Sequence, residues 1–160
     1  MPSPRLIVRN ATSDDSSDIF VWRNDPTTRS VSLSTEEVNW SDHESWFAAT
    51  MANPQRKIYI CEGDLSDETV EPVCMVRFDL DDSGDQAEVS INVNPLARGR
   101  GFGFEGLSSA IRQFSDDFPS VARVTARIRD SNVASVALFT KAGFVLTESA
   151  NGVGHYERAN

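Results

Sequence analysis

Four glycines and two arginines crowd the stretch NPLARGRGFGFEG, Asn94 to Gly106, between an apolar strand-like run and an apolar helix-like run. Glycine lets a main chain come close to a ligand, and successive main-chain N–H groups can then converge on anionic oxygens. The chemistry to expect from such a loop is phosphate binding. Two motifs overlap in it: Gly101, Gly103 and Gly106 spell G-x-G-x-x-G, while Arg98, Gly101 and Gly103 spell R-x-x-G-x-G.

The first spelling is the dinucleotide fingerprint, which requires its first glycine directly after a strand that opens a nucleotide domain. Here Pro95 to Arg98 intervene, and about a hundred residues come first. Asp130, 24 positions after Gly106, stands within reach of the ribose role, but only one strand-and-helix unit follows the loop. The second spelling uses the arginines. Coenzyme A carries a pyrophosphate and a 3′-phosphate, which call for guanidinium groups as well as helix-terminal N–H donors. Arg98, Arg100 and the amides of Gly99, Gly101, Phe102 and Gly103 stand at the start of a long helix, whose dipole adds to the attraction. The coenzyme A spelling is the better fit.

The elements that must position this loop follow from periodicity. LIVRNA reads as an opening strand. SDDSSDIFVWRND reads as a helix capped by Ser13 or Asp14 and ended by Pro26, and SDHESWFAATMA as a second helix capped by Ser41. RKIYICEG and EPVCMVRFDLD form a hairpin bounded by acidic turns. In QAEVSINVNP, Ala87, Val89, Ile91 and Val93 alternate with Glu88, Ser90 and Asn92, and Pro95 stops the strand. Beyond the loop, Phe104, Leu107, Ile111, Phe114 and Phe118 recur at helical spacing up to Pro119. ARVTARIRD is a strand, and SNVASVALFTKAG is a helix opened by Ser131 and closed by Gly143. FVLTES and GHYERA make a terminal strand pair. The order is strand, two helices, three strands, helix, strand, helix, two strands: a mixed α/β domain spanning 1–160.

Composition narrows the partners. A net charge of −9 argues against nucleic acid, and no apolar run approaches the roughly 20 residues of a membrane helix. Charge is unevenly placed: 7 basic against 18 acidic residues up to Ala97, then 8 against 6 from Arg98 onward, so an anionic ligand belongs to the second part. MPSPRLIVRN lacks a secretory pattern, and Cys61 and Cys74, without a C-x-x-C spacing, read as buried thiols of a cytoplasmic protein. His43 and His155 stand apart from any carboxylate or cysteine pattern, so no metal is expected.

At this point two segments carry a resemblance. INVNPLARGRGFG is similar to the acetyl-CoA loop of the GNAT acetyltransferases, and NVASVALFTKAGF, Asn132 to Phe144, resembles that family's second motif, N-x-x-A/S-x-x-L-Y/F-x-K-x-G-F. The motifs occur in the family's order, and the resemblance covers nearly the whole chain. WRNDPTTR and DHESWF further resemble the branch holding ribosomal-protein and nucleotide-linked aminosugar acetyltransferases, including the pseudaminic acid pathway enzyme. The resemblance implies a single-domain GNAT fold. Its sheet would be mixed, mostly antiparallel and of six to seven strands, splayed between strands 4 and 5 and flanked by about four helices. It also implies transfer of acetyl from acetyl-CoA to a primary amine on a small molecule, an aminosugar nucleotide or a protein N-terminus, and makes a homodimer an expectation.

Carried over residue by residue, the resemblance gives Ile91 and Val93 main-chain groups that bind the pantetheine arm, with the Val93 N–H polarising the thioester carbonyl. Arg98 to Gly103 would take the pyrophosphate. Asn132, Ser135, Phe139 and Lys141 would contact the rest of the cofactor. Phe139 stands where the family has a tyrosine that protonates the leaving thiolate, so a dedicated acid is in question, with Tyr156 a substitute. Glu88 is the candidate general base, against the alternative of a solvated strand carboxylate. Trp22, Arg23, Asn24, Arg29, His43 and Trp46 are candidates for the acceptor side. A non-catalytic acetyl-CoA-binding domain and an NAD(P)-dependent oxidoreductase are the alternatives.

Overall fold

The computed structural model describes residues 6–66 and 69–160; the first five residues and part of the acidic turn after Leu65 lie outside it. Seven strands form one sheet: β1 (Leu6–Asn10), β2 (Arg56–Ser66), β3 (Thr69–Leu80), β4 (Gln86–Val93), β5 (Arg123–Arg129), β6 (Val145–Ala150) and β7 (Val153–Ala159). Their spatial order is β1-β2-β3-β4-β5-β7-β6. Every adjacent pair is antiparallel except β4 and β5, which run parallel. One parallel pair cannot make a doubly wound sheet, so the dinucleotide reading of the glycine loop fails on topology.

Five α-helices flank the sheet: α1 (Ser16–Asn24), α2 (Pro26–Val31), α3 (Trp40–Ala52), α4 (Phe102–Asp117) and α5 (Val133–Lys141). Alternation along the strands separates two apolar layers. Tyr59, Cys61, Cys74, Val76, Phe78 and Val89 face α4, whose Phe114 stacks on Phe78 with ring centres 4.0 Å apart. On the other face Ile58, Ile60 and Met75 meet Ile19 and Trp22 of α1 and Phe47 of α3.

Several helix ends differ from the sequence expectation. Before α1 a short 3-10 turn intervenes, with Thr12 and Asp15 forming a reciprocal capping box. α3 is capped by Asn39, whose side chain accepts from the Asp42 N–H, rather than by Ser41. Pro26 opens a helix instead of merely ending one. A proline at the first helical position loses no hydrogen bond there, and Asp25 supplies the cap by accepting from the Thr28 N–H at 3.0 Å. α5 is capped by Asn132, and Gly143 follows it at φ +93° as its spacing predicts.

His43 belongs to this framework. Its side chain is fully buried, ringed by Phe20, Trp40, Trp46 and Phe47, with Nε2 2.9 Å from the Ser16 carbonyl oxygen. Burial, aided by the charge of Arg23, pushes the imidazole below its ordinary value despite the Ser16 contact. The unfolded chain therefore takes up a proton below about pH 6.5 that the folded chain resists, and stability falls as pH drops through that value. The urea midpoint should decline from about pH 7 to 5, and decline less in His43→Phe.

Candidate acyl-transfer site

β4 and β5 pair at only three positions, Gln86–Arg123, Ala87–Val124 and Glu88–Thr125, and then part. On its other side β4 stays paired with β3 to its end. The Asp81 N–H donates to the Gln86 carbonyl and the Asn94 N–H to the Val73 carbonyl, at 2.9 and 2.8 Å. Antiparallel bonding alternates, so the even-numbered residues of β4 bond to β3 while Ala87, Val89, Ile91 and Val93 turn their main-chain groups toward β5. Where β5 has left, the N–H and C=O of Ile91 and Val93 face a cleft of about 500 Å³. A gap beside a half-satisfied strand is a place for an extended ligand that hydrogen-bonds like a strand.

The glycine loop closes one end of this cleft. Gly99 and Gly101 have φ of +75° and +84°, in the left-handed region that glycine alone visits freely, and Gly101 is the N-cap of α4. The first turn of α4 leaves the N–H groups of Phe102, Gly103 and Phe104 without helical partners, beside the positive end of a 16-residue helix. A Cβ on Gly103 would sit 3.5 Å from Val93 Cγ2 and 3.6 Å from Leu138, which is ordinary contact. Nothing in the packing of the protein demands glycine there.

Both arginines of the loop are bonded to the protein itself. Arg98 donates to the Asp25 carboxylate and to Thr28 Oγ1, tying the loop to the start of α2; this bond, above the others, holds the Asp25 carboxyl below its usual range. Arg100 turns away to the end of β2, donating to the carbonyls of Leu65 and Asp64 at 2.6 and 3.0 Å while stacking on Phe102. The donors this loop leaves free are therefore main-chain amides first, with Arg98 at the rim, its side chain 40% exposed.

From the opposite wall Asn132, Ser135 and Leu138 line the cleft, and Asn132 Oδ1 also accepts from the Ser135 N–H. Phe139 does not line it. The ring is buried in the core, edge-on to Phe144 at 5.0 Å, because the helix period that points Ser135 and Leu138 outward points the next residue inward. Tyr156 is likewise buried in that core. Lys141 lies outside the lining, its Nζ 4.2 Å above the ring of Phe104.

Glu88 is placed where the strands separate, outside the cleft lining. Arg127 donates to both its oxygens, at 2.7 and 2.9 Å, and clasps β4 to β5 at the last paired position. The carboxylate offered as a candidate general base is thus held in a bidentate ion pair by a guanidinium.

On the other face of β4 a second cavity of about 160 Å³ opens, sharing Thr28, Ser32 and Asn92 with the cleft. Arg23 and Trp46, two of the acceptor-side candidates, line it. Trp22 does not, being buried on the inner face of α1 against the sheet. Asn24 holds the loop after α2 by reciprocal bonds with the main chain of Val38, at 2.7 and 2.9 Å, and Arg29 donates to the Thr35 carbonyl. Both residues build the wall and do not reach into the cavity. Residues missed from sequence are Glu36, Arg77 and Asn92. For Arg77 a signal existed: a cation interrupts the apolar run PVCMVRFDL on the face that alternation turns toward α1.

The family model for an acetyltransferase (GNAT) domain matches residues 5–145. No curated protein sequence matches the chain. Among solved structures, a domain from Methanocaldococcus jannaschii superposes with a TM-score of 0.83 at 22% identity, covering 99% of this chain and all of the other. Spermidine N-acetyltransferase from Vibrio cholerae, in complex with CoA and spermine, gives 0.79 at 17% identity, covering 96% and 95%. The Campylobacter jejuni N-acetyltransferase PseH gives 0.69 at 14% identity, covering 97% and 98%. These likenesses concern the fold, while the family match spans most of the sequence, and with it the splayed strands and the glycine loop: the chain belongs to the GNAT acetyltransferase family.

Proposed function

We propose that the protein binds acetyl-CoA in the cleft between β4 and β5 and passes the acetyl group directly to a primary amine entering from the cavity on the other face. The observation that carries this is the early parting of β4 from β5, which leaves the main chain of Ile91 and Val93 facing a cleft that ends at the amides of Gly101 to Phe104. Pantetheine would lie along β4 with the pyrophosphate at the α4 terminus, and the Val93 N–H would stabilise the oxyanion that forms when the amine attacks.

The amine must lose its proton. Glu36 is the carboxylate lining the acceptor cavity and takes over the candidacy from Glu88, directly or through water. No tyrosine lines the cleft among the described residues, and the thiolate, of ordinary pKa about 8.5, leaves without a dedicated acid. Glu88→Gln should leave the shape of the pH–rate profile unchanged and cost at most about 1 kcal/mol of stability, measured by urea denaturation, as partly exposed ion pairs do. A rate loss confined to low pH would return Glu88 to the role of base.

The segments WRNDPTTR and DHESWF support placement in the branch of ribosomal-protein and aminosugar acetyltransferases, and PseH among the structural neighbours agrees with it. β6 forms an open sheet edge with Val145 and Leu146 exposed, which supports a homodimer. Cys61 and Cys74 are free thiols, in keeping with a reducing compartment such as the cytoplasm. The deciding experiment is thiol release from acetyl-CoA against a panel of amines, with kinetics that distinguish direct transfer from a ping-pong course. Saturable acetyl-CoA binding without turnover on any amine would instead select a binding domain.

A further inference from the structure

We infer that the acceptor amine carries an anionic group, a carboxylate or a phosphate, a few bonds from its nitrogen, seated on the guanidiniums of Arg23 and Arg77 around Trp46. The inference rests on the acetyl-transfer reading and names the substrate class for it.

Both guanidinium carbons lie 5.1 Å from the ring centre of Trp46, and all three residues line the same cavity. Arg23 comes from α1, Arg77 from β3 and Trp46 from α3, so three elements converge on one feature. Among the described residues the Arg23 guanidinium has no hydrogen-bond or ion-pair partner, although it is half-buried beside a second cation. Burial and then the charge of Arg77 push its guanidinium below its ordinary value. Arg77 gives its Nε to Asp79, and neither of its Nη groups has a partner among the described residues. Desolvated cations side by side, with donors left unmade, form a site that an anion completes.

The geometry sets the distance to the reaction. Arg77 faces Ser90 across the β3–β4 ladder, and Asn92, which opens on both cavities, lies two residues further along. Such diagonal neighbours are about 7–8 Å apart. An anion on Arg77 thus leaves an amine a few bonds away beside Asn92, next to Val93. Size points the same way, because a cavity of about 160 Å³ is on the order of one that holds a benzene-sized group. Glu36 at the loop rim is the carboxylate in the lining and faces an ammonium group well. The arrangement fits a small zwitterion and repels a polyamine, although the chain as a whole is acidic.

The test measures acetyl transfer to matched amines that differ in the anion alone: β-alanine against its amide, phosphoethanolamine against ethanolamine, with spermidine alongside. The expected kcat/KM for the preferred anionic amine exceeds that of its neutral partner on the order of 100-fold, and whichever pair shows the larger ratio identifies carboxylate or phosphate. In Arg23→Gln and Arg77→Gln that ratio should collapse toward unity through KM, with acetyl-CoA affinity and the circular dichroism spectrum retained. Equal or better use of ethanolamine, β-alanine amide or spermidine would overturn the inference, as would an unchanged ratio in both folded variants. If acetyl-CoA binds and no amine turns over, the transfer reading fails separately. Thermal protection by β-alanine or phosphoethanolamine, lost in the arginine variants, would then still support the anion seat, and its absence in the unaltered protein would overturn it.

Discussion

Gly103→Leu is expected to lower acetyl-CoA affinity at least 100-fold, on the order of 3 kcal/mol, while the urea midpoint stays at or slightly above that of the unaltered protein. The two halves of this expectation have separate causes. On the stability side, the first side-chain atom would meet Val93 and Leu138 at ordinary contact distances, so the core has room for it. Leucine also favours the helical state over glycine by roughly 0.8 kcal/mol. On the binding side, the remaining atoms project between β4 and α5 into the cleft that Val93, Gly103 and Leu138 line together. They would stand where pantetheine passes and would screen the unpaired amides of the first helical turn from phosphate. Titration calorimetry and urea denaturation on one preparation check both halves. Unaltered affinity would remove the phosphate assignment, and Gly103→Ala should fall between the two proteins because its single carbon only touches the cleft wall.

The contrast between what could and could not be read in the sequence follows the range of the interactions. Alternation in QAEVSINVNP identifies the strand whose main chain lines the cleft, and the spacing of Leu107, Ile111 and Phe114 identifies the helix behind it, because both patterns are local. The mouth of the cleft is legible too, since left-handed backbone strongly favours glycine. Side-chain partners are another matter. Arg98 meets Asp25 across 73 residues, Glu88 meets Arg127 across 39, and Arg100 meets carbonyls 35 and 36 residues back. Nothing in a linear pattern reveals which arginine is spent on protein and which is left for ligand. Trp22 and Trp46 look alike as helix tryptophans, yet one is core and the other carries two guanidiniums. α2 is not legible in the sequence because Pro26 reads equally as a stop or a start, and only the Asp25 cap decides between them.

Gly106→Ala should destabilise the fold by about 1–3 kcal/mol without weakening acetyl-CoA binding, and pairing it with Cys74→Ala should restore much of the loss. Gly106 is the third glycine of the dinucleotide spelling, so its role separates the two motifs. In the structure it lies on the buried side of α4, where an added Cβ would overlap Cys74 Sγ and touch Cys61 Sγ at 3.5 Å. That is the close approach of helix to sheet, with β2 and β3 supplying the two sulfurs. Alanine gains about 1 kcal/mol in helical propensity, but relieving the overlap requires the helix or the strand to shift in a close-packed interior, and the shift costs more. Cys74→Ala alone opens a small void and costs about 1 kcal/mol. Together the new methyl fills the space the sulfur vacated, so the double variant should be more stable than the two single losses predict by at least about 1 kcal/mol. The thiol itself is chemically quiet, because its hydrogen bond with Cys61 and its burial push it well above the ordinary range, and its loss removes no reactive group. Urea midpoints of the four proteins give the coupling directly. Additive losses would mean that Gly106 is not held by this contact, and weakened acetyl-CoA binding in a fully stable Gly106→Ala would assign the glycine to the ligand instead.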